Sequence, residues 1–358
     1  MKKYLARLLS LAMALSLTAC GGAKTEDPAP GGDSGAPAEN AEYAEWIASV
    51  ADDDPVVLSM AGCNTDESLE GQSIHDLAEI LEEMSGGNMT LDVYTGGILG
   101  SQSDMIQSVK GGSIDMMMVG PGAMEGSCPS ICTISYLYAY QSEEHCLRVW
   151  NSELGQSVVQ NLIDEANVRA FDIYYTGWRA LFSKEKMTSP DDLVGKKLRI
   201  AEIPLFVNAY TALKASPVYI DMSETYSGLS SGICDVVEQQ MDIYLNFSLY
   251  DVAPYVFMDY HAFSWESPMI NEDRFQRLTP AQQALLTEAC NRACAEAREN
   301  YTQWWADLMK AYEENGCEIY EVTPEQRADI QEQLKESTLS YISGYGDQST
   351  VDFINSLA

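Results

Sequence analysis

Short apolar runs alternate with amphipathic segments along this chain, and the alternation restricts the fold more than any other feature of the sequence. Residues 56–61 and 89–94 have the pattern of strands, and residues 69–84 repeat apolar side chains at helical spacing. Another helix is predicted at 101–109 and another strand at 114–119. Strands joined by helical crossovers form a parallel sheet, so the sequence predicts an α/β fold that binds ligands at the carboxyl ends of its strands.

The same alternation returns in the second half of the chain. Strands are predicted at 170–175, 197–201, 218–221 and 234–238, and helices at 204–214 and 223–231. Two such regions predict two α/β domains, and no sequence repeat relates them.

A long helix follows these regions. The stretch Thr279-Pro280-Ala281-Gln282 combines an N-cap, a proline at the first helical position and a capping-box glutamine, and Gly316 marks the end. The helix would be on the order of 50 Å long, so we expect it to run across both domains. A break inside it would leave the same sequence pattern.

The N-terminus has the features of a secretory signal. A basic start and an apolar core of about ten residues, too short to span a bilayer, precede the stretch LTAC, which ends at Cys20. Residues 1–20 resemble a bacterial lipoprotein signal peptide, which implies that Cys20 is lipidated and anchors the protein to the membrane. Residues 21–54 are predicted to form a flexible tether rich in Gly, Pro and Ala, and then a short amphipathic helix that packs on the body.

The charge of the chain limits its partners. It has 54 Asp and Glu against 21 Lys and Arg, for a net charge of −33. Such an acidic surface does not suit nucleic acid, so no nucleic-acid partner is expected.

Cysteines and histidines offer little support for a metal site. The eight cysteines after Cys20 have no disulfide-ladder spacing; Cys128 and Cys132, or Cys290 and Cys294, could pair locally, or all could be buried thiols. No zinc motif occurs and the three histidines lie in separate segments, so neither a metal nor a cofactor is expected.

Two stretches, 85–120 and 177–240, carry the motifs of a known family. The first reads SGGNMTLDVYTGGILGSQSDMIQSVKGGSIDMMMVG, and the second begins GWRALFSKEKMTSPDDLVGKKLRIAEIP. They resemble the substrate-binding proteins of TRAP (tripartite ATP-independent periplasmic) transporters. The resemblance implies a fold of the type II periplasmic-binding-protein kind, with two α/β domains, hinge strands, a cleft and a long helix along both domains.

The resemblance also implies domain limits and a function. Domain I is expected to comprise residues 55–176 and 265–305, and domain II residues 177–264 and 306–358. Proteins of this family are not enzymes. They bind a small organic acid outside the cytoplasmic membrane and deliver it to membrane permease subunits.

Two arginines are the main site candidates. The family signature is an arginine in a G-x-K-I/L-R-V/I strand, here Arg199, and a second arginine often lies in a G-x-R turn, here Arg179. The resemblance implies that they bind the ligand carboxylate, and a guanidinium suits this role because it can form two parallel hydrogen bonds. From spacing alone, either arginine could instead pair with one of the protein's own carboxylates.

Further candidates follow from the family pattern and its departures. Gln239 stands where relatives often have an asparagine that contacts the ligand, and it keeps the amide. Asn64, after the first strand, and Gln102 are other polar candidates. Sialic-acid-binding relatives have an acidic residue where this chain has Gly120, which disfavours sialic acid as the ligand.

Apolar side chains near these motifs could line the cleft. Trp178 is preferred because an indole face beside Arg179 could contact an apolar part of the ligand. Met222, Tyr226 and Tyr244 are weaker candidates, because such side chains more often belong to the core.

Two other functions stay open. A ligand-sensing lipoprotein that signals to a membrane kinase would have the same binding site. A lipid-anchored enzyme has no support from a paired acid and base, an activated nucleophile or a metal motif. The sequence does not identify the carboxylate: dicarboxylates, aromatic acids, sugar acids and keto acids would all satisfy an arginine.

Overall fold

The computed structural model describes residues 42–201 and 203–358. The predicted signal peptide, the lipidation site at Cys20 and the tether up to residue 41 lie outside the described residues. No helix in the described part of the chain is both long and apolar enough to cross a lipid bilayer.

The strands of the described residues form one mixed sheet. Its central order is β2-β1-β3-β10-β5-β8-β6-β7, with β4 on β10, β9 on β5 and β11 on β9. The strands are β1 (Val56–Ala61), β2 (Met89–Tyr94), β3 (Met116–Val119), β4 (Val168–Ala170), β5 (Tyr174–Ser183), β6 (Lys197–Ile200), β7 (Ser216–Tyr219), β8 (Val236–Gln240), β9 (Tyr255–Met258), β10 (Phe263–Asn271) and β11 (Glu318–Glu321).

Two parallel groups of strands are joined by two long antiparallel strands. β1 is parallel to β2 and β3, and β6 is parallel to β7 and β8. The first half of β5 pairs with β10, and its second half, from Arg179 onward, pairs with β8 and β9. β10 shifts register between Ser264 and Trp265 and then pairs with β3. β5 and β10 therefore pass between the two groups, as hinge strands do.

Helices cover both groups of strands. They are α1 (Ala44–Val50), α2 (Leu69–Ser85), α3 (Gln102–Lys110), α4 (Cys132–Ser135), α5 (Glu143–Trp150), α6 (Glu153–Ala166), α7 (Pro204–Ala212), α8 (Met222–Ser231), α9 (Met241–Asn246), α10 (Glu272–Gln276), α11 (Pro280–Glu314), α12 (Pro324–Ile342) and α13 (Gln348–Ser356). Short 3₁₀ turns lie at Pro121–Met124, Pro129–Ile131, Pro190–Leu193 and Leu249–Asp251.

The long helix α11 is continuous over 35 residues and has the predicted capping box. The Thr279 hydroxyl accepts from the backbone of Gln282, whose side chain accepts from the backbone of Thr279. The N-terminal half packs in the core of the first strand group, where Leu285 and Ala289 are fully buried. The C-terminal half reaches the other core, where Tyr312 stacks on Tyr244. The helix therefore spans both regions, whereas the exact domain limits stay a prediction.

The predicted docking helix is α1, which is shorter than the segment 41–54. Tyr43 and Val50 are buried in the same core as α2 and α11. Arg292 of α11 pairs with Glu42 at 2.7 Å and lies 5.0 Å above the Tyr43 ring.

All eight cysteines of the described residues are free thiols, and six of them are buried. The interpretation as small buried side chains is therefore confirmed over the local disulfides.

The strand predicted at 170–175 is wrong as a single element. β4 ends at Ala170 and β5 begins at Tyr174, because three residues, 171–173, stand opposite Ser267 and Pro268 of β10. Pro268 has no backbone N–H to continue the ladder, and the apolar spacing of the segment hides the bulge. The sequence pattern also missed the helices α4 to α6, α9, α10, α12 and α13 and the strands β9 to β11.

Candidate functional site

Arg199 lies in the middle of β6 and its side chain is buried, with 3% of the residue exposed. Its Nε donates to the carbonyl of Ile220 at 2.9 Å, and Nη1 lies 3.5 Å from the carbonyl of Glu238. No carboxylate of residues 42–201 and 203–358 lies within ion-pair distance of it. Burial lowers the pKa of Arg199, the nearby charge of Glu238 raises it and that of Arg179 lowers it further. Among the described residues, Arg199 is thus a buried cation without a counter-ion.

Arg179, on β5, has a different environment. Its guanidinium forms two hydrogen bonds with the carboxylate of Glu238 on β8, one of them from Nη2 at 2.8 Å. Glu238 is fully buried. Burial alone would raise the pKa of Glu238, but Arg179 and His261 outweigh it and lower this pKa to about 2. Arg179 therefore pairs with one of the protein's own carboxylates, which was the alternative left open by its spacing.

A buried histidine continues this network. His261 lies 3.1 Å from Oε1 of Glu238 and 2.6 Å from Oδ1 of Asp259, and the Tyr138 hydroxyl donates to Asp259 at 2.8 Å. Burial would lower the pKa of His261, but Asp259 and Glu238 raise it to about 9. The histidine is consequently protonated at neutral pH.

The charges of this network do not cancel. Arg179, Arg199 and protonated His261 supply three positive charges, against the two carboxylates of Glu238 and Asp259. These five groups together have an excess of one positive charge. Because Arg179 and His261 already contact the two carboxylates, Arg199 is the member of this group without an ion-pair partner among the described residues.

Gln239 and Met222 are brought to the same place as the arginines. The Gln239 Oε1 accepts from Nη2 of Arg179 at 3.2 Å, and its Nε2 lies 3.1 Å from the sulfur of Met222. A thioether is a weak acceptor, so this amide group is available for a stronger one.

Asn64 lies at the carboxyl end of β1 and contacts a different group. Its side-chain amide donates to Glu70 at 2.5 Å, and its backbone N–H donates to the same carboxylate at 3.2 Å. It is half-buried and has no hydrogen bond to either arginine.

Two of the residues predicted to contact the ligand, Trp178 and Gln102, are not part of the hydrogen-bond network of the arginines. Trp178 packs edge-on against Tyr260 and Phe263, with ring centroids 5.2 and 5.1 Å away. As neighbours in a strand, Trp178 and Arg179 project to opposite faces, which favours a packing role for the indole. Gln102 is exposed in the first turn of α3.

The weaker aromatic candidates also differ in position. Tyr244 is fully buried in a stack with Phe182 and Tyr312, so it belongs to the core. Tyr226 is 40% exposed.

Sequence reasoning missed Glu238, His261 and Asp259. An acidic residue directly after two valines in the strand VVEQQ was a usable signal for Glu238, because a buried carboxylate needs a charged partner. No local signal links His261 to Glu238, since 23 residues separate them.

The fold is that of a class of two-domain α/β binding proteins with a cleft. The chain belongs to the family of bacterial extracellular solute-binding proteins, family 7, whose model matches residues 60–343. Its similarity to a TRAP periplasmic solute-binding protein of known structure identifies it as a TRAP-type solute-binding protein.

Individual relatives agree with this assignment. A solute-binding protein of Roseobacter denitrificans is 29% identical over 265 residues, which cover 74% of this chain and 80% of the relative. The sialic acid-binding periplasmic protein SiaP of Vibrio cholerae is 26% identical over 252 residues, covering 70% and 78% of the two chains. The crystal structure of the Roseobacter protein with bound L-galactonate superposes with a TM-score of 0.77 at 26% identity, covering 85% of this chain and 99% of that one.

Proposed function

We propose that this protein captures a small organic acid by pairing its carboxylate with Arg199 and delivers it to a TRAP permease. The observation that carries the proposal is the buried guanidinium of Arg199, which has no carboxylate partner among the described residues. Burying a charge without a counter-ion costs free energy, and a ligand carboxylate would remove that cost. In this proposal Arg199 is the main carboxylate-binding group and Arg179 assists it, because Glu238 already accepts hydrogen bonds from two of the Arg179 nitrogens.

Other side chains would complete the carboxylate site. Nη1 of Arg179 has no hydrogen bond to a described residue, and the Gln239 amide contacts only a weak acceptor on that side. Both groups could donate to the ligand beside Arg199. Membrane attachment through Cys20 is part of the proposal and rests only on the LTAC stretch of the predicted lipoprotein signal peptide.

The test compares Arg199→Gln with wild type in ligand binding. L-galactonate, the compound bound by the Roseobacter protein, and a panel of other small monocarboxylates serve as probes in calorimetry and thermal-shift measurements. Loss of a desolvated ion pair is expected to weaken binding by roughly a hundredfold or more. The unliganded variant should be at least as stable as wild type, because the substitution removes an unpaired buried charge.

The exposed Arg277, changed to Gln, provides the matched control and should bind as wild type does. Undiminished affinity of the Arg199→Gln protein for an acid that wild type binds would contradict the assigned role.

A further inference from the structure

Three buried carboxyl groups lie near the arginine network, and the charge of one of them, Glu266, acts on the other two. Glu70 lies in the first turn of α2, Asp242 in the first turn of α9 and Glu266 in β10, and each residue is at most 7% exposed. Burial raises the pKa of Glu70 and of Asp242, the latter to about 7, and in both cases the charge of Glu266 raises it further. We call these three residues the carboxylate cluster.

The members of the cluster differ in how their oxygens are satisfied. The Glu70 carboxylate accepts from the backbone N–H of Cys63 at 2.5 Å and from the backbone N–H and the side-chain amide of Asn64. Glu266 accepts from the Tyr174 hydroxyl at 2.5 Å. Oδ1 of Asp242 is buried and has no hydrogen-bond partner among the described residues. Backbone N–H groups of residues 69, 242 and 243 lower the pKa of the Asp242 carboxyl group, but Oδ1 still lacks the donor that a buried oxygen normally has.

No cation of the described residues neutralises the cluster. None of its three carboxylates lies within ion-pair distance of a Lys, Arg or His in residues 42–201 and 203–358. The cluster is not arranged as a metal site either, because no grouping of His, Cys, Asp and Glu in this part of the chain could hold an ion.

The cluster adjoins the proposed carboxylate site. Arg179 lies close enough for its charge to lower the pKa of Glu266, against the effect of burial, and for Asp242 to raise the pKa of Arg179. Gln239 accepts a hydrogen bond from Arg179, and Asp242 follows Gln239 three residues later in the chain. The Asn64 amide, predicted as a ligand contact, is bonded to the cluster.

The position of Gly120 explains part of this arrangement. A Cβ added to Gly120 would lie 3.9 Å from Cγ of Glu266 and 3.3 Å from the carbonyl of Trp265. The side chain of Glu266 therefore runs past the residue that follows β3. The carboxyl group of Glu266 therefore lies beside Gly120, the position at which sialic-acid-binding relatives are expected to have an acidic residue.

We propose that the carboxylate cluster binds a protonated amino or amidino group of the ligand, so that the preferred substrates are acids that also carry a cationic nitrogen. This inference rests on the proposed function, because it assigns the ligand end opposite the carboxylate. Among the described residues, Arg199 has no ion-pair partner and the carboxyl groups of the cluster have no cation within ion-pair distance, so a ligand with both charges offers a partner to each. A hydroxyl group could donate to Asp242, but it would leave the repulsion among the three carboxylates in place.

This mode of binding has a signature in its pH dependence. A bound cation favours the ionised form of Asp242 and its neighbours, so binding should release protons. The affinity for a cationic acid should therefore rise between pH 6 and pH 8, whereas the affinity for a hydroxylated acid should not.

The experiment uses matched acids that differ only at one end. Acids of four to six carbons with a terminal ammonium, hydroxyl or methyl group, together with L-galactonate, are compared by calorimetry on wild-type protein at pH 6 and pH 8. The tightest ligand is expected to carry the ammonium group and to bind roughly tenfold or more tightly than its hydroxyl partner. In Asp242→Asn and in Glu266→Gln this preference should be reduced, whereas Asp307→Asn, at an exposed position of α11, should keep it.

The outcomes separate the two proposals. Tighter binding of hydroxylated or unsubstituted acids would overturn the inference and leave the role of Arg199 intact. Absence of binding by every acid would contradict the proposed function and the inference together. A second measurement needs no ligand. The unliganded Asp242→Asn protein should have a higher melting temperature than wild type at pH 8, because the substitution removes a buried carboxylate that lacks a cation. A lower melting temperature in a folded variant would contradict the absence of such a partner.

Discussion

Arg179 and Arg199 have the same side chain but different electrostatic environments. Strand β8 lies between their strands and brings Glu238 to both. Its carboxylate forms the bidentate pair with Arg179, whereas Arg199 meets only its backbone carbonyl. This difference leaves Arg179 paired within the protein and Arg199 without a carboxylate partner among the described residues.

Breaking this pair should be costly. In Glu238→Gln, Arg179 and His261 would stay buried without their shared anion, and we expect a loss of about 3–5 kcal/mol in the free energy of unfolding. Denaturant unfolding followed by fluorescence measures the loss.

The control is Glu318→Gln, which removes an exposed pair with Lys186 at 3.2 Å. That change should cost less than about 1 kcal/mol. Equal small losses of unfolding free energy in the two variants would show that Glu238 does not stabilise the fold more than an exposed ion pair does.

His261 makes stability depend on pH in the alkaline range. Its pKa is about 9 in the folded protein, above the usual value of about 6.5, so the folded state holds the proton more tightly. The resulting stabilisation is complete below pH 6.5 and is lost as the pH rises through 9. The free energy of unfolding, measured between pH 6 and pH 10, should therefore fall more in wild type than in His261→Gln.

Replacement of the exposed His75 by Gln is the matched control and should leave the pH profile unchanged. A profile of His261→Gln that parallels wild type over this range would refute the assignment.

At the scale of elements, the crossing of β5 and α11 depends on one glycine. Gly177 has φ +87°, and a Cβ there would lie 2.5 Å from Cζ3 of Trp305. The side chain would meet both an unfavourable backbone conformation and a rigid ring. β5 can therefore pass under the long helix only where a side chain is absent.

Gly177→Ala should destabilise the protein by more than backbone strain alone. Gly195→Ala is the control, because Gly195 has φ +76° and no atom within 4 Å of its Cβ position. The difference between the two variants should be about 1–3 kcal/mol in denaturant unfolding. Equal losses would mean that Trp305 moves aside without cost.

At the scale of the whole molecule, the net charge of −33 opposes the approach of an anion. Charges farther away than about 8 Å are screened at physiological ionic strength, whereas the desolvated pair proposed at Arg199 would not be. The acidic surface should therefore affect the rate of encounter more than the stability of the complex.

Stopped-flow measurements can test this separation. The association rate constant of an acid with net negative charge should rise when ionic strength increases from about 10 to 150 mM, and its dissociation rate constant should change little. A net-neutral amino acid that binds is the control, with an association rate that does not depend on salt. A falling association rate for the anion would show that local positive potential controls its approach.

The sequence by itself determined the α/β class, the approximate positions of the strands in the two parallel groups and the caps of α11. These features depend on neighbours within a few residues, as the capping box of Thr279 and Gln282 shows. The positions of Arg199 and Arg179 also followed from local motifs. The irregular segment 171–173 did not, because its cause lies in Pro268, on another strand.

Only the tertiary structure decided which charges are paired. Arg179 and Glu238 are 59 residues apart, and their contact depends on the order β5-β8-β6 in the sheet. The same holds for Glu70, Asp242 and Glu266, which come from two helices and a strand. An isolated carboxylate in a sequence does not show whether it will be buried beside a cation or beside another acid, because that depends on packing between distant segments.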